Sequence, residues 1–240
     1  MKGHEVLAAL GKRRLRPGGK SATDWLIDGV DWKGKKVLEV ACNRGTTLAD
    51  VARRGATVTG LDLDESVIAE AKENFARQGL DGHFYVGNAL ALPFEDASFD
   101  LVVNEAMLTM LTRSDRAKAL KEYNRVLKPG GLLLTHDVAY TTLDPSSDIS
   151  KAVGMAVSPE RPEEWKSQLA AAGFESESKL FPFTVGTFGG WIQDEGLFSF
   201  IKMLVRLPFS PVKGHMVKMR KLFARHRSQM RAFVSRAQKR

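Results

Sequence analysis

Cysteine is nearly absent from this sequence. Cys42 is the only one in 240 residues, so an intrachain disulfide is excluded. That fits a reducing compartment and leads to the expectation of a cytoplasmic protein. No apolar run reaches the length of a membrane span. The opening MKGHEVLAALGKRRLRPGGK has a short apolar stretch that runs straight into basic residues, a poor match to a secretory leader. Five histidines and one cysteine show no paired ligand spacing, so no metal is expected. Acidic residues stop at Glu195. Of 36 Lys and Arg, 12 follow that point, which leaves 24 to set against 28 Asp and Glu in the remainder. The net charge of +8 therefore belongs to the tail. A basic, acid-free segment suits nucleic acid, an anionic membrane surface or an anionic substrate, or is simply a solvated helix face.

What is present is ordinary for one α/β domain with an insertion: 43% hydrophobic and 27% charged residues. Residues 1–35 read as an N-terminal helical cap, with a turn at Arg16-Pro17-Gly18-Gly19 and a weak capping pattern at Ser21 and Asp24. Strand-like runs follow at 35–41, 56–63, 83–88, 99–106 and 131–138. Helical spacing lies between them, as at Val67, Ile68, Ala71 and Phe75. The helix at 113–127 is closed by Lys128-Pro129-Gly130-Gly131. A helix at 160–172 and strands at 174–184 and 230–239 complete the chain. This βαβ repetition predicts a mostly parallel sheet with helices on both faces, and ligands at the carboxyl ends of its strands.

At the end of the first strand stands Glu39-Val40-Ala41-Cys42-Asn43-Arg44-Gly45, a turn that opens a helix and brings backbone N–H groups toward a ligand. Asp62 ends the second strand, where an acid accepts hydrogen bonds from both hydroxyls of a ribose. It also reads as a helix cap. The glycine fingerprint of dinucleotide sites is missing, since only Gly45 survives of three. Four segments in order, VLEVACNRG (37–45), VTGLDLD (58–64), GNALALPFEDASFDLVV (87–103) and EYNRVLKPGGLLL (122–134), resemble the class I S-adenosylmethionine-dependent methyltransferases. The resemblance covers residues 20–140 well and the remainder loosely. It implies the Rossmann-like methyltransferase fold, seven strands in the order 3-2-1-4-5-7-6 with the seventh antiparallel. It also implies S-adenosylmethionine as cofactor and S-adenosylhomocysteine as product. By motif, Glu39 matches the acid that orients the methionine amino group, Gly45 the last glycine of the turn, and Asp62 the ribose acid, with Leu63 beside it. Asn88 stands where the family has an acid on the adenine amine. Ala89 supplies a neighbouring backbone contact, and Asn104 lies where cofactor and acceptor meet. Ala41 and Asn43 replace family glycines. Asn tolerates unusual backbone angles, whereas Ala41 is expected to keep ordinary ones.

Methyl transfer needs a nucleophile aligned with the methyl–sulfur bond, so positioning supplies much of the rate. Where a base is used, Glu105, His136 and Asp137 are the candidates, and His136 reads equally as a packing or orienting residue. Arg14, Arg16 and Arg44 suit an anionic acceptor. The apolar insertion suits a hydrophobic one. No target-base motif such as Asn-Pro-Pro-Tyr is present, so a small-molecule acceptor is expected and no stable nucleic acid partner. RNA methylation and a non-enzymatic nucleoside-binding protein remain as alternatives. The insertion, 186–228, is expected to form a helical lid between strands six and seven. Its segment 196–207 is apolar nearly all round and must bury itself, with Trp191 and Phe198 as aromatic contacts and Ser199, Lys202 and Arg206 toward solvent. A dimer interface and a membrane-resting face through the basic C-terminal region follow the lid in rank, so monomer and homodimer both stay open.

Overall fold

A computed structural model describes residues 3–12 and 16–240. In chain order its strands are β1 (Lys36–Val40), β2 (Thr57–Asp62), β3 (His83–Val86), β4 (Phe99–Glu105), β5 (Leu127–Tyr140), β6 (Phe174–Pro182) and β7 (Met230–Lys239). The helices are α1 (Gly3–Ala9), α2 (Gly19–Ile27), α3 (Thr46–Ala52), α4 (Glu65–Arg77), α5 (Arg113–Val126), α6 (Ser146–Val153), α7 (Pro162–Ala171), α8 (Phe188–Glu195), α9 (Leu197–Arg206) and α10 (Lys213–His226).

The strands form one sheet in the order β3-β2-β1-β4-β5-β7-β6. β1 to β5 pair in parallel, and β7 runs antiparallel between β5 and β6. This is the mostly parallel Rossmann-like arrangement, with β7 as its reversed member. β1 and β4 are covered on both faces and so are buried along nearly their whole length, with Val37, Leu38, Val40, Leu101, Val102 and Val103 supplying their apolar middle. Alternation divides the core. Leu38, Val40 and Val102 meet Leu120, Tyr123, Trp165 and Leu169 on the α5–α7 side. Val37, Leu101 and Val103 meet residues of α2, α3 and α4 on the other.

Three local readings are corrected. α5 ends at Val126 and the chain enters β5 directly, so Lys128-Pro129-Gly130-Gly131 closes no helix. Pairing jumps from Phe99 with Leu127 to Leu101 with Leu132, which leaves those four residues as a bulge where Pro129 costs no ladder bond. α2 begins at Gly19, ahead of Ser21, with Gly18 at its N-cap. Its last carbonyls, those of Trp25, Leu26 and Asp28, instead receive Arg236 from β7.

The third correction concerns the segment between β6 and β7. Its side of the molecule has a separate core: Val6, Leu7 and Leu10 of the N-terminal segment, Ile149 of α6, Trp191 of α8, and Met216, Met219 and Phe223 of α10. α9 was expected to bury itself there. Met203 alone of its residues is buried, and Phe198 is 70% exposed. Lys202 and Arg206 do face solvent, but so do Leu197, Ile201, Leu204 and Val205 beside them. The reason is room: α8 and α10 already fill the space over the core, so α9 gains purchase only through Met203 and half-buried Phe200.

Candidate active site

The β1–α3 turn is built from left-handed backbone. Ala41 has φ 59°, Asn43 φ 47° and Gly45 φ 70°. The expectation that Ala41 keeps ordinary angles is therefore wrong. An alanine is held where glycine is at ease, which costs about 1 kcal/mol or more. Asn43 suits its place, since its side-chain oxygen accepts the Arg44 N–H at 2.8 Å. A Cβ on Gly45 would meet the Phe75 ring at 3.0 Å. A Cβ on Gly60 of β2 would meet Cys42 Sγ at 2.8 Å. Burial pushes the Cys42 thiol well up, so it is a packing group and no nucleophile.

Asp62 joins the ends of β1 and β2. Its Oδ2 accepts the Asn43 N–H at 3.0 Å and its Oδ1 the Asp64 N–H at 3.1 Å. Each oxygen keeps a second lone pair. Leu63 next to it is 70% exposed. Asp64, not Asp62, caps α4, by accepting from Ser66 N–H. Past β3, Asn88 is exposed and its Oδ1 accepts the Leu90 N–H at 2.9 Å, while Ala89 is half-buried against the core. Arg44 pairs with Glu70. Arg14 lies outside the described residues.

Glu39 is buried, and its Oε2 has no hydrogen-bond partner among the described residues. Burial raises its pKa well above the ordinary carboxylate value, and the nearby Glu105 charge raises it further, against the pull of Arg16. Asn104 is fully buried. Its Nδ2 donates to the Val40 carbonyl at 3.1 Å, and its Oδ1 has no partner among the described residues. Arg16 is also buried. It stands 3.8 Å from Glu105 Oε2 and 3.9 Å from Asp50 Oδ2, with Nε and one terminal nitrogen unbonded among the described residues.

Glu105, at the end of β4, ties four elements together. Thr23 of α2 donates to its Oε1 at 2.9 Å, and Thr47 at the start of α3 to its Oε2 at 2.7 Å. His136 Nδ1 lies 3.2 Å from Oε1, and His136 Nε2 accepts the Gly18 N–H at 2.9 Å. That acceptance puts the imidazole proton on Nδ1, facing Glu105. Desolvation alone would raise the Glu105 pKa, but His136, Arg16 and Thr47 together hold it far below the usual range. Gly18, Thr23 and Thr47 were not singled out from the sequence. A threonine at a helix start carries no signal of a partner more than fifty residues away.

Asp137 points the other way. It accepts from Thr109 N–H and Oγ1, both at 2.9 Å, and from Thr135 Oγ1 at 2.8 Å. Arg116 is fully buried nearby, bonded to Glu160 at 2.9 Å and to the carbonyls of Leu108, Leu111 and Ser158. Neighbours on one strand face opposite sides of a sheet. The structure therefore brings Glu105 and His136 together and keeps Asp137 apart.

Immediately after Glu105, Ala106 adopts φ 58° and borders an apolar cavity of about 110 Å³. Leu7 of α1, Ile149 and Val153 of α6, Phe183, and Met219 and Phe223 of α10 close it. Thr109 is its one hydroxyl, already tied to Asp137.

Residues 37–131 match the model of a methyltransferase domain family. The chain is 47% identical over 210 residues to a protein of Haemophilus influenzae described as uncharacterized, covering 84% of each. It is 40% identical over 122 residues to a fatty-acid O-methyltransferase of Mycolicibacterium smegmatis, which covers 50% of this chain and 41% of that protein. Among solved structures, the [4+2]-cyclase SpnF superposes with a TM-score of 0.77 at 20% identity, covering 98% of this chain and 93% of that one. The chain belongs to the class I S-adenosylmethionine-dependent methyltransferases. Most of the named curated methyltransferases it matches do so over about half of their length.

As such a methyltransferase it uses S-adenosylmethionine and releases S-adenosylhomocysteine. A native interior rarely leaves buried polar atoms unpaired. Glu39 Oε2, Asn104 Oδ1 and the Arg16 nitrogens are close in the chain to the carboxyl ends of β1 and β4 and to the cap above them. Among the described residues, no group of three His, Cys, Asp or Glu is placed to hold a metal ion, and no helix is long and apolar enough to cross a membrane.

Proposed function

We propose that this methyltransferase acts on an apolar small-molecule acceptor seated in the cavity beside Ala106. The observation that carries this reading is the cavity itself: it opens on the residue after Glu105, and its walls are hydrocarbon apart from Thr109. A nucleophilic atom of the acceptor sits at the Ala106 end, with its apolar body under α1, α6 and α10. The fatty-acid O-methyltransferase among the relatives acts on a ligand of this kind. The insertion and α1 together form the lid, with Trp191 rather than Phe198 as its buried aromatic. We also assign the chain to the cytoplasm, in keeping with its one buried thiol.

The cofactor, when bound, supplies an electrophilic methyl on sulfonium. Glu39 accepts its ammonium through Oε2, and Arg16 receives its carboxylate through the unbonded Nε and terminal nitrogen. A carboxyl and a guanidinium that keep unused hydrogen-bonding atoms are complementary to the two ends of an amino acid. Asp62 accepts the ribose hydroxyls, with Leu63 alongside, and Asn88 and Ala89 meet the adenine. Ala41, Asn43 and Gly45 bring backbone close, and Asn104 offers its Oδ1.

Glu105 and His136 are positioning residues in this reading. Glu105 is held ionised and is too weak a base to deprotonate an acceptor, and both nitrogens of His136 are engaged. Their task is to clamp α2, α3 and the cap around the cofactor, so that in-line geometry supplies the rate. Asp137 anchors the loop after β4 and takes no part in transfer. The test is Val153→Phe, which fills the cavity wall. With labelled cofactor and a panel of long-chain acids, quinols and isoprenoids, the variant should lose turnover while calorimetry shows cofactor affinity intact. Unchanged turnover in that variant would place the acceptor elsewhere.

A further inference from the structure

We propose that the outer face of α9 and the turn after it dock on an anionic lipid surface. Fifteen large apolar side chains stand exposed among the described residues, and six of them fall within thirteen positions: Leu197, Phe198, Ile201, Leu204, Val205 and Phe209. Phe209 is 89% exposed and Phe198 70%. At 100° per residue, Leu197, Phe198, Ile201, Leu204 and Val205 make one continuous stripe, set between the buried side at Met203 and the polar side at Lys202 and Arg206. Scattered exposed apolar residues need no explanation, but a contiguous stripe does.

Charge decides what covers the stripe. From residue 196 to 229 there are eight Lys and Arg and no Asp or Glu. One of these cations touches the patch directly and a second stands at its border. Lys202 Nζ lies 4.4 Å from the centre of the Phe198 ring. Arg220 lies 3.9 Å from that of Phe188, whose ring meets Phe200 of α9 at 5.3 Å. A second copy applied by the same face would bring these cations against their own kind. An anionic headgroup layer pairs with them while the stripe enters the acyl boundary, and the long Lys202 and Arg206 stems reach back to the headgroups. With ten residues, α9 lies in the interface and does not span it. The inference needs no particular acceptor, and it stands whether or not the cavity beside Ala106 holds one.

Co-sedimentation of the full chain tests it, with vesicles of phosphatidylglycerol and phosphatidylcholine in equal parts beside vesicles of phosphatidylcholine alone. The chain should pellet with the anionic vesicles, release as salt is raised, and stay in solution with the zwitterionic ones. The triple variant Phe198→Ser, Val205→Ser, Phe209→Ser should lose about ten-fold or more in partitioning, with its thermal melt and S-adenosylmethionine affinity unchanged. Lys202→Gln with Arg206→Gln should lower the preference for anionic vesicles. Failure to pellet, equal pelleting with both vesicle types, or a triple variant that binds as well as the parent would overturn the proposal. So would a dimer in light scattering that the triple variant dissolves, since a second copy would then cover the stripe.

Discussion

The molecule buries two clusters of charge on opposite faces of its sheet, and they are finished differently. On the α5–α7 side, Asp137 accepts three hydrogen bonds and Arg116 donates to one carboxylate, an amide oxygen and three carbonyls. On the other side, Glu39 and Arg16 each keep a buried atom with no partner among the described residues. Both clusters carry carboxylates with pKa values pushed up by burial, so perturbed titration alone does not separate them. Satisfaction does. Asp137 and Arg116, the charged groups of the first cluster, use every side-chain donor and acceptor they have and hold the loop after β4 in place, although the Tyr123 hydroxyl near them is buried without a partner among the described residues. We propose that the second cluster, whose charged groups keep unused ones, receives a ligand with the complementary groups.

The comparison breaks most visibly at its two arginines. Arg116→Ala should lower stability by about 3–5 kcal/mol, because it strands Glu160 and removes the donor to the carbonyls of Leu108, Leu111 and Ser158. The surviving folded fraction should bind S-adenosylmethionine as the parent does. Arg16→Ala should show the reverse, little change in the melt and a drop of about ten-fold or more in cofactor affinity. Chemical denaturation and calorimetric titration of both variants read the four quantities. If Arg16→Ala unfolds the chain, its missing partners are not those of a ligand.

Asp62→Ala should also weaken the cofactor by roughly ten-fold or more, since charged hydrogen bonds of this kind are worth ~1.5–3 kcal/mol. Its melt should fall only modestly, because the backbone N–H groups it releases at Asn43 and Asp64 are part-buried or exposed.

Glu39 gives the comparison a pH dependence. Its folded pKa lies above the unfolded value of 4.5, so the folded chain holds the proton more tightly. The stability this contributes is full below pH 4.5 and is lost as pH rises through the folded value. Ammonium favours the ionised form, so cofactor affinity should rise over the same interval and binding should release a proton. Glu39→Gln should flatten both dependences and make the ligand-free chain more stable than the parent toward neutral pH. Melting curves across pH, and titrations in buffers of different ionisation enthalpy, give the proton count. A count of zero with an unchanged pH profile would remove Glu39 from the cofactor.

The order of elements and the motif positions of Glu39, Asp62 and Asn88 were legible because each motif binds a local segment to a strand end. Glu105 was legible as a position, but its role was not. Its partners arrive from Gly18 and Thr23 by way of α2 and His136, and no spacing in the chain encodes that meeting. α9 was misread for the opposite reason. Its pattern showed an apolar helix, and burial was inferred from composition, whereas its neighbours had already filled the core with Met216, Met219 and Phe223. Ala41 was misread because side-chain identity is a poor guide to φ once surrounding structure fixes the backbone.

That last point yields the smallest and cleanest prediction. Among the described residues, four that are not glycine have positive φ: Ala41, Asn43, Ala97 and Ala106. Three of them lie just past the ends of β1 and β4, beside the cluster with unpaired atoms, and none lies in the cluster around Arg116. Strain of this kind persists where surrounding contacts enforce it, and it gathers at ligand sites. Ala41→Gly should therefore stabilise the chain by up to about 1 kcal/mol, or ~2–4 °C in Tm for a domain of this size. The same exchange at Ala117, exposed in the middle of α5, should destabilise by about 0.5–1 kcal/mol. The opposite signs matter more than the sizes, because both variants loosen the unfolded chain equally. If both exchanges destabilised the protein, the left-handed turn would be stabilised by its own contacts, and Ala41 would carry no stored strain.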